Sequence, residues 1–574
     1  MVSTDKTGVS SSRGEKVLGA RLLEEVDFEN SFVDKLPADP EEEIYVRPVR
    51  GAAYSRVNPT PPWVDDQSEY LGKKKTSSES SLEMVAWSSS CARLLGIEES
   101  SKESTRTISV LAGAEVTPSM KPYAQCYGGH QFGSWADQLG DGRVINLGEV
   151  VNGKGEKYEI QLKGAGKTPY SRSADGRAVM RSSVREFLCS EAMYHLGIPT
   201  TRALSLVATG AGVVRDQFYD GQVQVEPGAV VCRVAENFVR LGSFQLPAYR
   251  NDLDLLKKIA NYTIDRSFPQ FSSVTDDFDD EENRYVLFLR EVISRTVKMI
   301  VKWQAVGFVH GVCNTDNFSV LGVTIDYGPY GFLDSYDPSY TPNTTDLPGR
   351  RYCYGRQPSI GLWNLTRFAE ALVPLIGVRG AEAELERYQT LFVDETESSM
   401  QRKLGLLSWT SADDKLVQSF LDQMREDKLD YTNMWRALSS ISTASKDEAD
   451  DETVLKPLEW ELKKVQEDDK RQKWVDWVRS YAARLSEDKD RDGNGWSEEE
   501  RVTAMNKVNP KYILRNYLAQ NAIEKAENGD YNELLKLLEV LQRPYDEQPE
   551  NSIYTEEPPQ WASRRGVCVN SCSS

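Results

Sequence analysis

The strongest constraint on this chain lies in residues 310–328, which read HGVCNTDNFSVLGVTIDYG. Asp316 and Asn317 follow a long apolar run with helical spacing, and Asp326 stands nine residues after Asn317 in an apolar, strand-like run. Carboxylate and amide oxygens suit Mg²⁺, which proteins commonly hold together with the phosphates of a nucleotide. Two successive loops that carry such groups therefore predict a site for a metal-bound nucleotide.

Residues upstream supply further parts of a phosphate-handling site. Gly140, Gly142 and Arg143 form a Gly-rich turn, in which missing Cβ atoms let backbone N–H groups approach phosphate oxygens. The strand-like run YEIQLKG then ends in Lys163, and a helical pattern holds Glu186, 23 residues later. Protein kinases use a Gly-rich loop, a strand lysine, a helix glutamate and metal-binding Asn and Asp residues in this order. Each feature alone also fits a hairpin turn or a solvated lysine, but their joint order favours a kinase-like site.

Three further motifs have competing interpretations. Asp175 and Gly176 form either an ordinary turn or a second acidic contact near the nucleotide. The run GAGKT at 164–168 is similar to a P-loop core, but Gln161 occupies the position of the first glycine, which argues against a P-loop. Residues 488–499 fit a calcium-loop pattern, although Gly495 replaces the usual apolar residue and no second loop accompanies it. An acidic, solvated loop is favoured there, with calcium binding as the alternative.

Size and charge limit the classes of protein that fit. A chain of 574 residues is long for one hydrophobic core, so two or more packed lobes are expected. The formal charge of −19 argues against a nucleic-acid binder, which needs clustered Lys and Arg. No run of 18 uncharged apolar residues predicts a membrane span, and three widely separated histidines give no zinc spacing.

The pattern of the chain predicts its organisation. Residues 1–85 are polar, and residues 86–245 alternate short strand-like runs and Gly-rich turns around one helix opened by Ser182 and Ser183. Residues 285–307 carry apolar side chains at helical spacing, with Gly307 as the stop. Residues 325–360 read as an irregular loop region, and the pattern is helical from 362 onward.

Four long motifs closely resemble the selenoprotein O family. They are YGGHQFGSWADQLGDGRVINLGE, QLKGAGKTPYSRSADGRAVMRSSVREFLCSEAMYHLGIPTTRAL, HGVCNTDNFSVLGVTIDYGPYGFLD and RYCYGRQPSIGLWNL. The resemblance covers roughly residues 30 to 545, and NPKYILRNYLAQ at 509–520 carries it into the C-terminal helices.

The resemblance implies an α+β, protein-kinase-like bilobal fold with an N-terminal extension and a helical C-terminal extension. The implied divisions are a partly disordered extension (1–85), an N-lobe (86–245), a C-lobe with the metal-binding loops (246–385), a helical region (386–545) and a flexible tail (546–574). The implied activity is transfer of AMP from ATP to Ser, Thr or Tyr hydroxyls of proteins, with a flipped nucleotide and release of pyrophosphate. Two competing interpretations stay open: a protein UMP-transferase or phosphotransferase, and a nucleotide-binding pseudokinase scaffold, which the intact set of phosphate- and metal-site residues opposes.

The resemblance also assigns roles to individual residues. Asp316 is the implied catalytic acid/base, Asn317 and Asp326 the implied ligands of Mg²⁺ or Mn²⁺, and Glu186 the partner of Lys163. The implied nucleotide contacts are Gly140, Gly142, Arg143, Lys163, Asp175, Gly176, Arg233 and Arg240. The two arginines suit the burial of phosphate charge, because a guanidinium binds phosphate in a bidentate fashion.

The two ends of the chain bear on location and partners. Some family members carry selenocysteine third from the end, where this chain has Cys572, and Cys568 lies nearby. The resemblance implies mitochondrial location and redox-related protein targets, with the cytoplasm as the alternative. Residues 1–20 are Ser-rich and mostly basic, as in a transit peptide, but Asp5 and Glu15 oppose that interpretation. The oligomeric state is not readable, and a monomer is expected.

Overall fold

The computed structural model describes residues 20–571, except residues 73, 76, 279, 448–449 and 492–496. The strands are β1 Tyr54–Arg56, β2 Glu83–Trp87, β3 Tyr123–Gln125, β4 Gly128–Gln131, β5 Ser134–Gln138, β6 Val144–Val151, β7 Lys157–Lys163, β8 Ala178–Val179, β9 Arg202–Asp216, β10 Val223–Ala235, β11 Phe308–Val309 and β12 Gly331–Phe332. The helices are α1 Ser31–Lys35, α2 Ser89–Leu95, α3 Thr105–Leu111, α4 Met180–His195, α5 Leu241–Tyr249, α6 Leu253–Ser267, α7 Arg284–Val306, α8 Gln357–Leu404, α9 Ser411–Asp427, α10 Tyr431–Ala437, α11 Asp451–Leu455, α12 Glu459–Leu462, α13 Asp468–Arg491, α14 Glu498–Asn506, α15 Asn516–Ala526 and α16 Asn532–Leu541. The chain therefore mixes an antiparallel sheet in its first half with a helical C-terminal region, as the sequence predicts.

The main sheet has the order β1-β3-β6-β7-β10-β9-β2, with β8 paired to β10. Its pairs are antiparallel, and β7 lies between β6 and β10. Side chains alternate along β7, so Ile160 and Leu162 face a core built with the N-terminal helices, while Gln161 and Lys163 face the other side. Helix α4 packs against β9 and β10 on that other side, which brings a helix next to Lys163.

Two further cores lie behind the sheet. The larger one joins α4 to the apolar faces of α6, α7, α8, α15 and α16, and Trp303 of α7 is fully buried in it. The other belongs to the C-terminal helices, where Phe420, Trp435 and Trp474 pack together. Among the described residues no helix is both long and apolar enough to cross a membrane.

The predicted helices form, with shifted ends. The helix predicted over 285–307 is α7, whose start is capped by the Asn283 side chain and whose end is followed by Gly307 at a φ of 74°. Helix α4 begins at Met180, two residues before the predicted Ser182, because β8 leads directly into it. The helix predicted from 362 belongs to α8, which starts at Gln357 and has non-helical backbone at Gly377.

The segments expected to be an extension and a tail both pack against the rest of the protein where they are described. β1 is an edge strand of the main sheet, and Phe28 and Phe32 are buried. At the other end, Asn570 pairs with Asn343. The Asn570 N–H donates to Pro342 O, and the Asn570 carbonyl accepts from Thr344 N. The segment weighed as a transit peptide falls almost wholly outside the described residues, as does Cys572.

Candidate active site

Lys163 and Glu186 connect the sheet to α4. Lys163 is the last residue of β7, and its Nζ lies 2.6 Å from Oε2 of Glu186 in the middle of the helix. The side chains are 12% and 3% exposed, so the ion pair is nearly removed from water. Burial lowers the pKa of Lys163, and the nearby carboxylates of Glu186 and Asp326 oppose that shift.

Two buried arginines extend this ion pair toward the loop at 326. Arg233 of β10 lies opposite Gln161 in the strand register, and its Nε donates to Gln161 Oε1 at 2.9 Å. Its Nη1 donates to Glu186 Oε1 at 3.1 Å and to Asp326 Oδ1 at 2.7 Å. Arg240, the residue before α5, donates from Nη1 to Asp326 Oδ2 at 2.6 Å.

Asp326 is therefore surrounded by cations. Arg233 and Arg240 each bind one of its carboxylate oxygens, and Lys163 Nζ lies 3.6 Å from Oδ1. Burial alone would raise the pKa of Asp326, but these cations hold it well below its usual range. Its backbone has a φ of 60°, uncommon for a residue with a side chain, and its carbonyl accepts from Gly328 N at 2.8 Å.

Asp316 occupies the neighbouring loop in different surroundings. It belongs to the short 3-10 helix Thr315–Asn317 and is 7% exposed. Its Oδ2 accepts from the neutral amide of Gln131 at 3.1 Å. Burial raises the pKa of Asp316 to about 6, with Gln131 and Arg240 opposing the shift. At neutral pH the carboxylate is thus mostly ionised and still basic enough to accept a proton.

Arg240 joins the two loops into one site. The same Nη1 that binds Asp326 also donates to the backbone carbonyl of Asp316 at 2.7 Å. The backbone N–H of Leu241 donates to Phe318 O at 2.9 Å, which fixes the start of α5 beside the loop. Lys163, Asp316 and Asp326 therefore line one region between the sheet and the helices, which we call the cleft.

The donors at Asn317 and Asp326 are chemically suited to Mg²⁺. Asn317 Nδ2 donates to Val312 O at 3.0 Å. This bond fixes the orientation of the amide group, so its oxygen points away from Val312. No cluster of three or more His, Cys, Asp or Glu side chains suited to a metal occurs within the described parts of the chain. Mg²⁺ does not need such a cluster, because it commonly takes one or two protein oxygens and completes its shell with phosphates and water.

The Gly-rich turn before β6 is shaped by packing as well as by its position. A Cβ at Gly140 would lie 2.4 Å from the Tyr170 ring, and one at Gly142 would lie 2.8 Å from the Tyr170 carbonyl oxygen. The intervening Asp141 is buried, and its Oδ1 lies 3.7 Å from Arg240 Nη2. Asp141 is therefore the residue of the turn whose side chain lies near Arg240. The Arg143 carbonyl accepts a hydrogen bond from Gly164 N, next to Lys163.

Asp175 and Gly176 lie beside the turn that follows Lys163. They are not among the described residues that contact Asp326. The Gly176 carbonyl accepts from Gly166 N at 3.2 Å, and an added Cβ at Gly176 would lie 2.1 Å from the Gly166 oxygen. The Asp175 carboxylate receives two bonds from Arg215, at 2.7 and 2.9 Å. These bonds, with burial opposing them, lower the pKa of Asp175.

Comparison with known proteins decides the family. A family model described as "Protein adenylyltransferase SelO" matches residues 54–542. A protein nucleotidyltransferase YdiU of Azoarcus sp. is 48% identical over 549 residues, which cover 95% of this chain and 99% of the relative. Proteins of the same name from Methylobacillus flagellatus and Rhodopirellula baltica are each 46% identical, with 95% and 96% of this chain covered and 99% of each relative.

The chain belongs to the protein adenylyltransferase SelO family. The family and the nucleotidyltransferase class expected from the sequence are thereby confirmed. The matched residues include every side chain of the cleft described above and end before the C-terminal tail.

Three residues of the cleft were missed by the sequence analysis. Asp141 stands between Gly140 and Gly142, both predicted nucleotide contacts, so its position in the motif is a usable signal. Gln161 lies two positions before Lys163, and strand alternation could have placed it on the same face. Gln131 had no such signal, because its contact with Asp316 joins segments 185 positions apart.

The segment weighed as a calcium loop is only partly described. Its first acidic residue, Asp488, lies within α13, and its carboxylate binds Arg484 and the Ser408 hydroxyl. Residues 492–496 lie outside the described parts, so the calcium alternative stays a prediction.

Proposed function

We propose that this protein transfers AMP from ATP to Ser, Thr or Tyr hydroxyls of protein targets and releases pyrophosphate. The observation that carries the proposal is the position of Arg240, which binds both the Asp316 backbone and the Asp326 carboxylate. One cleft thereby combines a basic carboxylate with a group of buried cations. The proposed architecture is kinase-like, with the nucleotide between the sheet and the helices.

The cations suit a triphosphate whose outer phosphates depart. Arg233 and Arg240 are each 1% exposed, and together with Lys163 they surround Asp326 with three positively charged groups. Attack at the α-phosphorus breaks its bond to the β-phosphate bridging oxygen, so the leaving pyrophosphate gains charge. Preorganised guanidinium groups stabilise that charge strongly in a site shielded from water.

Asp316 supplies the proton acceptor. The target hydroxyl oxygen forms the new bond to the α-phosphorus, and its proton passes to the Asp316 carboxylate. The environment of Asp316 suits this step, because among the described residues the side chain that donates to its carboxylate is the neutral amide of Gln131. The flipped orientation, with the α-phosphate toward Asp316, is the one that the family resemblance implies.

Asn317 and Asp326 are the residues that would hold Mg²⁺ or Mn²⁺. A divalent ion bound there would neutralise phosphate charge and orient the triphosphate. Glu186 has a supporting role, since it holds Lys163 and Arg233 in place.

Labelled nucleotides test the proposal. The protein is incubated with Mg-ATP labelled at either the α- or the γ-phosphate, and label retained on protein is measured together with intact mass. AMP transfer predicts α-label and an added adenylate mass, whereas γ-label alone would establish a phosphotransferase. Parallel reactions with UTP test UMP transfer. Binding of ATP without any covalent product would instead establish a nucleotide-binding scaffold.

A further inference from the structure

The hairpin formed by β4 and β5 lies against the loop that carries Asp316. Its two strands are joined by a tight turn at Phe132 and Gly133, both with positive φ, as in the hairpin turns that match strand twist. Trp135 stacks on Tyr249 of α5 at 4.2 Å, and the close packing of Gly128 against Gly242 adds a second support. The hairpin is thus held on α5 and has a defined position.

Three consecutive hairpin residues bind three consecutive residues of the catalytic loop. The contacts are His130 N to Thr315 Oγ1 at 2.7 Å, Gln131 Nε2 to Asp316 Oδ2 at 3.1 Å, and Phe132 N to Asn314 Oδ1 at 3.2 Å. Two of these contacts use backbone N–H groups, which any residue could supply. Only the contact to Asp316, among these three, depends on a particular side chain of the hairpin, that of Gln131.

Gly129 closes the other side of the same carboxylate. A Cβ at Gly129 would lie 2.9 Å from both Cβ and Oδ1 of Asp316. Oδ1 is buried and has no hydrogen-bond partner among the residues that the structure describes. Because Gly129 encloses Oδ1, the oxygen available to a target hydroxyl is Oδ2, which can accept from Gln131 and still offer a second lone pair.

We propose that Gln131 is a positioning residue that fixes the rotation of the Asp316 carboxylate and so presents Oδ2 to the target hydroxyl. The carboxylate torsion of an aspartate is broad and roughly two-fold, so a donor on one oxygen is needed to select an orientation. A neutral amide does this without the strong loss of basicity that a cation would cause. The inference rests on the proposed function, because it assigns Asp316 the role of proton acceptor.

A variant with matched shape tests the amide itself. Gln131→Met keeps an unbranched side chain but removes the donor, and a charge-assisted hydrogen bond of this kind corresponds to about a 10-fold effect or more. We expect kcat for AMP transfer to fall by about 10-fold while KM for ATP stays unchanged. Gln138→Met is the control, because Gln138 lies in the same hairpin and, within the described parts of the chain, its side chain binds the backbone of Arg47 and Val49 instead of the Asp316 loop. It should retain full kcat.

A double-mutant cycle separates positioning from a general structural effect. In the Asp316→Asn background, residual AMP labelling is followed over hours with and without Gln131→Met. Positioning predicts that Gln131→Met has almost no further effect there, since the group it orients is already lost. An equal fall in both backgrounds would overturn the inference, and so would a rise in KM for ATP with kcat unchanged.

The outcomes for the inference and for the proposed function are distinct. If the unaltered protein transfers no AMP to protein, the proposed function fails and the role of Gln131 falls with it. If AMP transfer is present and the cycle is additive, only the role of Gln131 is wrong. Thermal unfolding checks each variant, and Gln131→Ala replaces Gln131→Met in the cycle if the latter does not fold.

Discussion

The two loops of the cleft place aspartates in opposite electrostatic surroundings. Asp316 is buried beside a neutral amide, and its pKa rises to about 6. Asp326 is buried among Arg233, Arg240 and Lys163, and its pKa stays well below the usual range. Identical side chains only ten positions apart thus acquire different chemistry. Burial beside a neutral donor leaves Asp316 basic, as the proposed proton acceptor must be, whereas the surrounding cations keep Asp326 ionised, as the proposed metal ligand must be.

The largest expected effect comes from removing Asp326, the proposed metal ligand. Asp326→Ala removes the carboxylate shared by the three cations, and we expect AMP transfer to fall below detection. Arg233 keeps Glu186 and Arg240 keeps Asp141 as acidic neighbours, so the protein should still fold. The free energy of unfolding should fall by about 3 kcal/mol, as for other broken buried ion pairs.

Labelling with α-labelled ATP and denaturant unfolding measure these two effects. Asp394→Ala, at an exposed aspartate of α8, is the matched control and should leave both unchanged. Full activity of Asp326→Ala in the presence of Mg²⁺ would contradict the metal-ligand role.

Asp316→Asn should have the next largest effect. The amide retains the shape of the side chain but cannot accept the hydroxyl proton, so kcat should fall by about 10²- to 10⁴-fold. Nucleotide affinity should stay the same, because Asp316 contacts the cation group through its backbone carbonyl, which the substitution retains. Equilibrium binding of ATP measured beside single-turnover rates checks this difference. A parallel loss of affinity would show that Asp316 binds nucleotide and is not simply a base.

A substitution beside Asp316 that leaves the aspartate itself unchanged tests how far its position matters. In Gly129→Ala the new methyl would lie 2.9 Å from Asp316 Oδ1, so the carboxylate must move. Small misplacements of catalytic groups are costly, and we expect kcat to fall by about 10- to 100-fold. Gly153→Ala is the control, because a Cβ there meets nothing within 4 Å. Equal kcat values for the two variants would show that the hairpin does not constrain the base.

Much of this site was predictable from sequence because its parts occur in a recognisable order. The Asp–Asn pair, Asp326 and the strand lysine each follow a local pattern. Alternation along β7 places the Lys163 side chain, and helical spacing in α4 places that of Glu186. Arg233 and Arg240 came from the family resemblance, since neither arginine stands in a pattern that shows its partner. The motif order also places Lys163, Asp316 and Asp326 in one cleft, which the structure supports.

The remaining features depend on contacts between distant segments. The Gly-rich turn predicts phosphate contacts, and that prediction stands. The sequence does not show the second reason for glycine there, which is that Tyr170 occupies the space of a Cβ at Gly140 and Gly142. The role of residues 128–138 was equally hidden, because hydrophobic spacing says nothing of which loop a hairpin covers. Residues 1–85 are predicted to be a partly disordered extension. In its described part, burial of Phe28 and Phe32 and the edge position of β1 join the chain to the sheet, and polarity alone does not show these contacts.

The smallest expected effect is a pH dependence that only one of the two aspartates should cause. Asp316 must be ionised to accept a proton, so kcat at saturating Mg-ATP should decline as the pH falls through about 6, by roughly 10-fold per pH unit below that value. Asp326 remains ionised over this range because its pKa is held far lower, so its own contribution to nucleotide affinity should change little between pH 7 and 5. Single-turnover rates and equilibrium ATP binding, measured in the same buffers, separate the two contributions. A fall in affinity at low pH that exceeds the effect of protonating ATP itself, with a constant rate, would reverse the assignment, because the titrating carboxylate would then be the one that faces the cations.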